Sequence, residues 1–177
     1  MKTKDIKSRI REYFFVHPTE KLRIRQIERA VKVPLPSVIR YVKELSKEGI
    51  LQDSEISKVR FYSADRSSKK FLLEKTLFNI KSIYLSELLN YLIEEYSNPT
   101  IILFGSYSRG EDIESSDIDI YIETPSKKKV NFGKFEKILN RKIQFFIYSN
   151  IKAVPNPMLS NNILNGVKLN GFLEVFK

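Results

Sequence analysis

Phe104-Gly105-Ser106-Tyr107-Ser108-Arg109-Gly110, followed by Ser116-Asp117-Ile118-Asp119-Ile120, is the stretch on which the reading of this chain turns. An apolar run, Ile101 to Phe104, ends in a Gly-Ser pair, and ten residues then separate Ser106 from Asp117. Backbone approaches an anion closely only where a side chain is absent, which Gly105 provides. A small hydroxyl and the N–H groups that open a short helix make an anion pocket. Residues two apart on a strand face the same way. Asp117 and Asp119 are therefore expected to present their carboxylates together, with Ile118 and Ile120 facing the core. Two carboxylates so placed can hold Mg²⁺ against phosphate oxygens. A lone Gly-Ser is an ordinary turn, and two aspartates on an edge strand are an ordinary solvated face. Strand, turn, short helix and second strand in this order point instead to a phosphate site.

These residues resemble the signature of the nucleotidyltransferase superfamily, and most of all its minimal members. Their Gly-Ser-x-x-x-x-Gly start and Ser-Asp-Ile-Asp end are matched by Gly105-Ser106, Gly110 and Ser116 to Asp119, and the resemblance runs from about Thr100 to the C-terminus. It implies an α/β domain with a mixed sheet. It also implies transfer of a nucleoside monophosphate, AMP by resemblance, from an NTP to a hydroxyl with Mg²⁺ as cofactor. Asp117 and Asp119 would be the catalytic and metal-binding carboxylates, and Gly105 and Ser106 would cradle the β- and γ-phosphates. Arg109, one helical turn past Ser106, would either neutralise phosphate charge or be a surface arginine. Minimal members often work beside a small helical toxin-like partner, so a protein tyrosine is one acceptor that the resemblance implies; RNA ends and small molecules are others.

The family pattern fails at one place. A third carboxylate is expected on a later strand, and the matching segment here is Arg141-Lys142-Ile143-Gln144-Phe145-Phe146. Gln144 has no charge for Mg²⁺ and cannot take a proton from an attacking hydroxyl. Loss of a general base costs about 10²–10⁴ in rate. Glu123 has the parity of Asp119 but lies four residues on, about 13 Å at strand rise. Glu111, Asp112 and Glu114 precede Asp117 and could bend inward.

The chain has 177 residues, 42% of them hydrophobic, and no cysteine. That length allows one large domain or two small ones. The absence of cysteine excludes disulfides and thiolate chemistry. No apolar run approaches the roughly 20 residues that span a membrane, and the start does not read as a signal peptide, so a cytoplasmic protein is the expectation. The net charge of +10 is unevenly spread. Residues 1–70 hold 18 Lys/Arg against 9 Asp/Glu, and the remainder 13 against 12. Such asymmetry suggests an N-terminal module that binds nucleic acid.

The pattern within that module reads as helix, helix, turn, helix and hairpin, and resembles a winged helix-turn-helix. A first helix ends near His17-Pro18, with His17 structural. A second spans Ile24, Ile27 and Val31. Pro34-Leu35-Pro36 is read as a break, Ser37 as the cap of a third helix carrying Val38, Val42 and Leu45 at core spacing, and Gly49 as its end. Ile50–Gln52 and Lys58–Tyr62 would pair around residues 53–57. The resemblance implies DNA as partner: Ser37, Arg40, Tyr41 and Lys43 would face the major groove, and Lys58 and Arg60 would contact phosphates from the wing. Protein docking is the other use of such a module.

Ser63–Ser68 reads as a linker. Lys69–Ser97 reads as one long helix or two in line, able to pack on the sheet or to form a homodimer seam. Thr124–Lys129 is a basic loop, Phe132–Leu139 a short helix, Ile143–Tyr148 a third strand and Met158–Leu169 a final helix, with turns at Asn165-Gly166 and Asn170-Gly171. The architecture is α+β: a winged helix-turn-helix over residues 1–66, a helical connector over 67–97 and a minimal nucleotidyltransferase-like domain with a mixed sheet over 98–177. Two further functional readings stand beside the enzyme. One is a DNA-binding regulator whose nucleotide site is catalytically impaired by Gln144; the other is a scaffold in which both domains bind proteins.

Overall fold

The computed structural model describes residues 5–126, 128 and 130–176. Contacts divide the chain into Met1–Phe78 and Asn79–Lys177.

The first unit holds α1 (Ile6–Val16), α2 (Ile24–Val31) and α3 (Leu35–Lys47), then the hairpin β1 (Leu51–Ile56) and β2 (Val59–Ala64). Asp5 caps α1 by accepting the Ser8 N–H at 2.8 Å. Ile10, Phe14, Ile27, Val38, Val42 and Leu45 are fully buried and form one core with Ile50 and Phe71. Each such side chain contributes about 1.5–3 kcal/mol by leaving water. Two expectations are corrected here. Pro34 is the cap of α3, and Ser37 lies inside the helix, because a proline in the first turn gives up no hydrogen bond. The hairpin is longer than its residue types suggest. Asp53 and Glu55 are poor strand formers, yet they pair with Tyr62 and Arg60 across a turn at Ser57-Lys58, where both φ angles are positive. That turn geometry matches strand twist. Ser63 and Ala64, read as linker, complete β2 and are buried.

Helix α4 (Lys69–Leu85) and helix α5 (Leu88–Glu95) are the two-helix form of the long apolar segment. The break falls at Ser86-Glu87, where Glu87 has a φ of 63°.

The second unit continues with β3 (Thr100–Phe104), α6 (Gly105–Ser108), β4 (Ile118–Glu123), α7 (Gly133–Leu139), β5 (Ile143–Tyr148), α8 (Pro157–Leu164) and β6 (Val167–Asn170). The sheet runs β5-β4-β3-β6 and is mixed: β4 is parallel to β5, and β3 is antiparallel to both β4 and β6. Alternation along β3 and β4 splits the core between its faces. Ile101, Leu103, Ile118, Ile120 and Ile122 pack with Leu88, Leu92 and Phe135. Ile102, Phe104 and Tyr121 pack with Ile151, Val154 and Ile163. The segment expected to end as helix does not: α8 stops at Leu164, and Val167–Asn170 becomes an edge strand on β3. Pairing with β3 overrides local preference, and Gly166 permits the reversal. In the basic loop, Lys128 pairs with Glu95, while Lys127 and Lys129 lie outside the described residues.

A Cβ at Gly166 would sit 2.6 Å from both the Leu103 carbonyl oxygen and Ile102 Cγ2, and 2.9 Å from Phe104 Cβ. The first of these is backbone and cannot yield cheaply. Gly166→Ala is expected to destabilise the protein by about 1–3 kcal/mol, read as a lower urea midpoint with an unchanged m-value.

Candidate active site at the beta3 to alpha6 turn

The antiparallel register pairs Phe104 with Asp119, so the residue after Phe104 turns directly beside that carboxylate. That residue is Gly105, with a φ of +74°. A Cβ there would lie 2.2 Å from Asp119 Oδ2. Asp119 therefore lies against the Gly-Ser turn, and the space for a side chain at position 105 is filled by its carboxylate. Ser108 Oγ donates to the Gly105 carbonyl at 2.8 Å, and the Glu111 N–H to the Ser106 carbonyl at 3.0 Å. These bonds fix the turn from behind.

Asp117 stands one residue before β4, exposed, and Asp119 is half-buried within it. Ile118 and Ile120 between and beyond them are fully buried. Burial, and then the neighbouring charge of Asp117, raise the Asp119 carboxyl above the ordinary carboxylate range. Mutual repulsion of this kind marks two acids sharing one region of space. A divalent cation relieves it, and Mg²⁺ needs only one or two carboxylates when phosphates and water complete its shell. Asp117 and Asp119 are thus residues that could hold a divalent cation. Among the described residues no cluster of three or more Asp, Glu, His or Cys side chains could hold a metal ion.

Gln144 pairs in register with Asp119 on the adjacent parallel strand, the position where the third acid was expected. Glu123 is not a replacement; it accepts the Tyr121 hydroxyl at 2.8 Å. Arg109 is exposed, and its Nε donates to Glu111 at 2.8 Å. A polar cleft of about 520 Å³ opens beside Asp117, bordered by Ser116, Glu136, Lys137, Arg141 and Lys142. Its lining comes from the loop before β4, from α7 and from the turn before β5, and neither Gly105 nor Ser106 is part of it.

One group of residues behind the turn had no signal in the motif. Asn79 on α4 is 2% exposed. Its amide donates to the Tyr107 carbonyl at 2.9 Å and to Asp112 Oδ1 at 2.7 Å. Asp112, 1% exposed, is thus held by Asn79, with Arg141 3.9 Å from its other oxygen. Burial, and then Asp112, push the Tyr107 phenol above its usual range. A polar residue one turn from the buried Ile83 was the only hint, since Asn79 must then find a partner inside.

In the other unit, Arg40, Lys43, Lys58 and Arg60 are exposed, whereas Ser37 and Tyr41 are half-buried. Tyr41 packs on the core, and Arg40 stacks over its ring at 4.9 Å while pairing with Glu44. Arg60 pairs with Asp53 at 3.5 Å. Ser37 and Tyr41, which the winged-helix resemblance places facing outward, are thus only partly exposed.

The raised Asp119 carboxyl has a stability consequence. The folded state holds this proton more tightly than the unfolded chain, whose carboxyl keeps its ordinary value of 3.8. Stability is lost as pH rises through the interval above that value, and the penalty is absent below it. Without metal, Asp119→Asn should therefore melt at a higher temperature than wild type at pH 7. The difference should shrink to nothing as pH falls toward 3.8, and added Mg²⁺ should narrow it at pH 7 by stabilising only wild type.

Comparison with known proteins agrees with this geometry. Residues 85–170 match the family model described as a nucleotidyltransferase domain. Three relatives from Methanocaldococcus jannaschii are named as candidate protein adenylyltransferases. One is 36% identical over 96 residues, covering 50% of this chain and 92% of the relative. A second is 38% identical over 93 residues, with the same coverage. A third is 42% identical over 82 residues, or 44% of this chain and 94% of the relative. No solved structure matches. With a relative covered almost end to end, and the glycine turn and aspartate pair in one place, the chain belongs to the nucleotidyltransferase family.

Proposed function

We propose that this protein transfers AMP from ATP to a hydroxyl of an acceptor, with the Gly105–Ser106 turn as phosphate seat and Asp117 and Asp119 as the metal-binding pair. The observation that carries the proposal is the packing of the Asp119 carboxylate against Gly105. Phosphate on the turn and a cation on the carboxylates would be in direct contact. The relatives named as protein adenylyltransferases favour ATP and a protein acceptor.

Asp117 and Asp119 would hold Mg²⁺, which supplies charge neutralisation on the polyphosphate and on the leaving pyrophosphate. Gly105 lets the backbone approach the phosphates, and Ser106 offers its hydroxyl to them. The acceptor oxygen forms a bond to the α-phosphorus as the bond to the β-phosphate bridging oxygen breaks. The cleft bordered by Asp117, Lys137 and Lys142 is the side from which the acceptor enters. The acceptor's proton passes to solvent, since the Gln144 amide cannot take it. Positioning and charge stabilisation supply most of the acceleration in phosphoryl-type transfer, so the reaction is slow rather than absent.

Labelled ATP with candidate protein acceptors tests this directly. Wild type should transfer label with Mg²⁺, and Asp117→Asn with Asp119→Asn should lose both transfer and Mg²⁺-dependent ATP binding. Transfer that survives the double substitution rules out the site. Gln144→Asp restores a base and a third charge in register with Asp119, and is expected to raise the rate by about 10². An unchanged rate with Gln144→Asp would mean that the amide is not what limits the chemistry.

The first unit supports a second role. Three helices followed by a hairpin, with Arg40 and Lys43 exposed on α3 and Lys58 at the hairpin turn, fit a winged helix-turn-helix that binds DNA. In this reading α3 enters the major groove and the hairpin contacts phosphate; Ser37 and Tyr41, half-buried, contribute less than Arg40 and Lys43. Should Gln144→Asp activate an otherwise silent protein, the natural role is that of a nucleotide-binding regulator. DNA affinity measured at rising salt should fall steeply, and Arg40→Ala with Lys43→Ala should weaken it about tenfold or more; binding indifferent to both salt and substitution excludes this surface. A helical protein partner, from the nucleotidyltransferase resemblance, and a homodimer through the connector helices are further proposals, to be checked by co-purification and light scattering.

A further inference from the structure

We infer that Asn79 and Asp112 are positioning residues that couple the phosphate turn to the metal-binding carboxylates. The inference rests on the proposed nucleotide site and assigns residues that lie outside its motif. Asn79 uses both hydrogens of its amide, one on the Tyr107 carbonyl of α6 and one on Asp112 Oδ1, at 2.9 and 2.7 Å. Tyr107 belongs to the helix that opens with Gly105 and Ser106. Asp112 belongs to the loop that delivers Asp117, a loop closed further on by the Ile113 N–H donating to Ser116 Oγ at 2.9 Å. A single amide thus bridges the two halves of the site. Arg141, its side chain 6% exposed, faces Asp112 and stands two residues before β5, the strand that carries Gln144.

Burying a carboxylate is expensive unless it is paired and hydrogen-bonded. Asp112 is nevertheless 1% exposed, although the surface position of Glu111 beside it shows that the loop has access to solvent. In the low-dielectric interior such a network is rigid while complete and fails as a unit when one member is lost. Its geometry fixes the separation between the turn and Asp117, which sets how well a cation on the aspartates meets phosphates on the turn. A second-layer bond of this kind acts through placement rather than contact.

Coupling between two ligands measures that separation. The quantity to read is the gain in ATP affinity caused by Mg²⁺, from calorimetry with and without the ion, on the full chain. Asn79→Ala should leave a folded protein with a lower melting temperature, and should cut that gain about tenfold while changing metal-free ATP affinity less than threefold. Asp112→Asn preserves shape and still accepts from Asn79 but loses its charge toward Arg141; about a threefold smaller gain is expected. A merely structural role lowers the melting temperature of both variants and leaves the ratio within twofold of wild type, which overturns the inference. If Asn79→Ala does not fold, Asp112→Asn decides alone by the same twofold criterion. If wild type shows no Mg²⁺-dependent ATP binding, the nucleotide site itself fails and the inference with it.

Discussion

The site depends on the contact between the Asp119 carboxylate and a residue with no side chain. Gly105 is held at positive φ, where any other residue is strained. The volume its Cβ would take is occupied by Asp119 Oδ2. Two constraints, one on backbone and one on space, therefore fall on the same position. The register between β3 and β4 imposes both, because it pairs Phe104 with Asp119 and so brings the turn and the acid to one end of the sheet.

That register is sustained by a sheet covered on both faces. Ile118, Ile120 and Ile122 commit one face of β4 to a core with α5 and α7. Tyr121 commits the other, with Phe104, Ile102 and Ile163. A slip of one residue would send every isoleucine to the wrong side, so packing energy along the whole strand holds Asp119 in place. The acid itself stands against this preference: burial and Asp117 raise its proton affinity. The fold thus carries a modest electrostatic penalty at the point where a cation would bind, a common arrangement for binding sites.

Gln144 alters what such a site can do without altering its shape. It occupies the register position beside Asp119 and offers an amide where charge was expected. Under the proposed function, two carboxylates would carry the metal and its phosphates, while proton removal from an acceptor would have no base at this register position. Nucleotide transfer and nucleotide sensing would then differ by one functional group rather than by architecture. Among the described residues no helix is long and apolar enough to cross a membrane.

The sequence by itself determined those features that local rules govern. The glycine turn, the alternation that pairs Asp117 with Asp119 and the buried stripe Val38-Val42-Leu45 follow from spacings of a few residues, and the place of Gln144 from the resemblance to the family pattern. The start of α3, the full length of the hairpin and the conversion of Val167–Asn170 into a strand did not. The start of α3 follows a local rule read the wrong way, since proline is favoured in a first helical turn; in the other two a tertiary partner outweighed local preference, cross-strand pairing with Tyr62 and Arg60 and β3 as a template for β6. The same holds for the network behind the site. Asn79 meets Tyr107 and Asp112 across 28 and 33 residues of chain, a distance at which no periodicity carries information. Only closure of the chain decided that a helix asparagine and a loop aspartate would satisfy each other in the interior, because a buried polar group takes whichever partner the packing brings within reach.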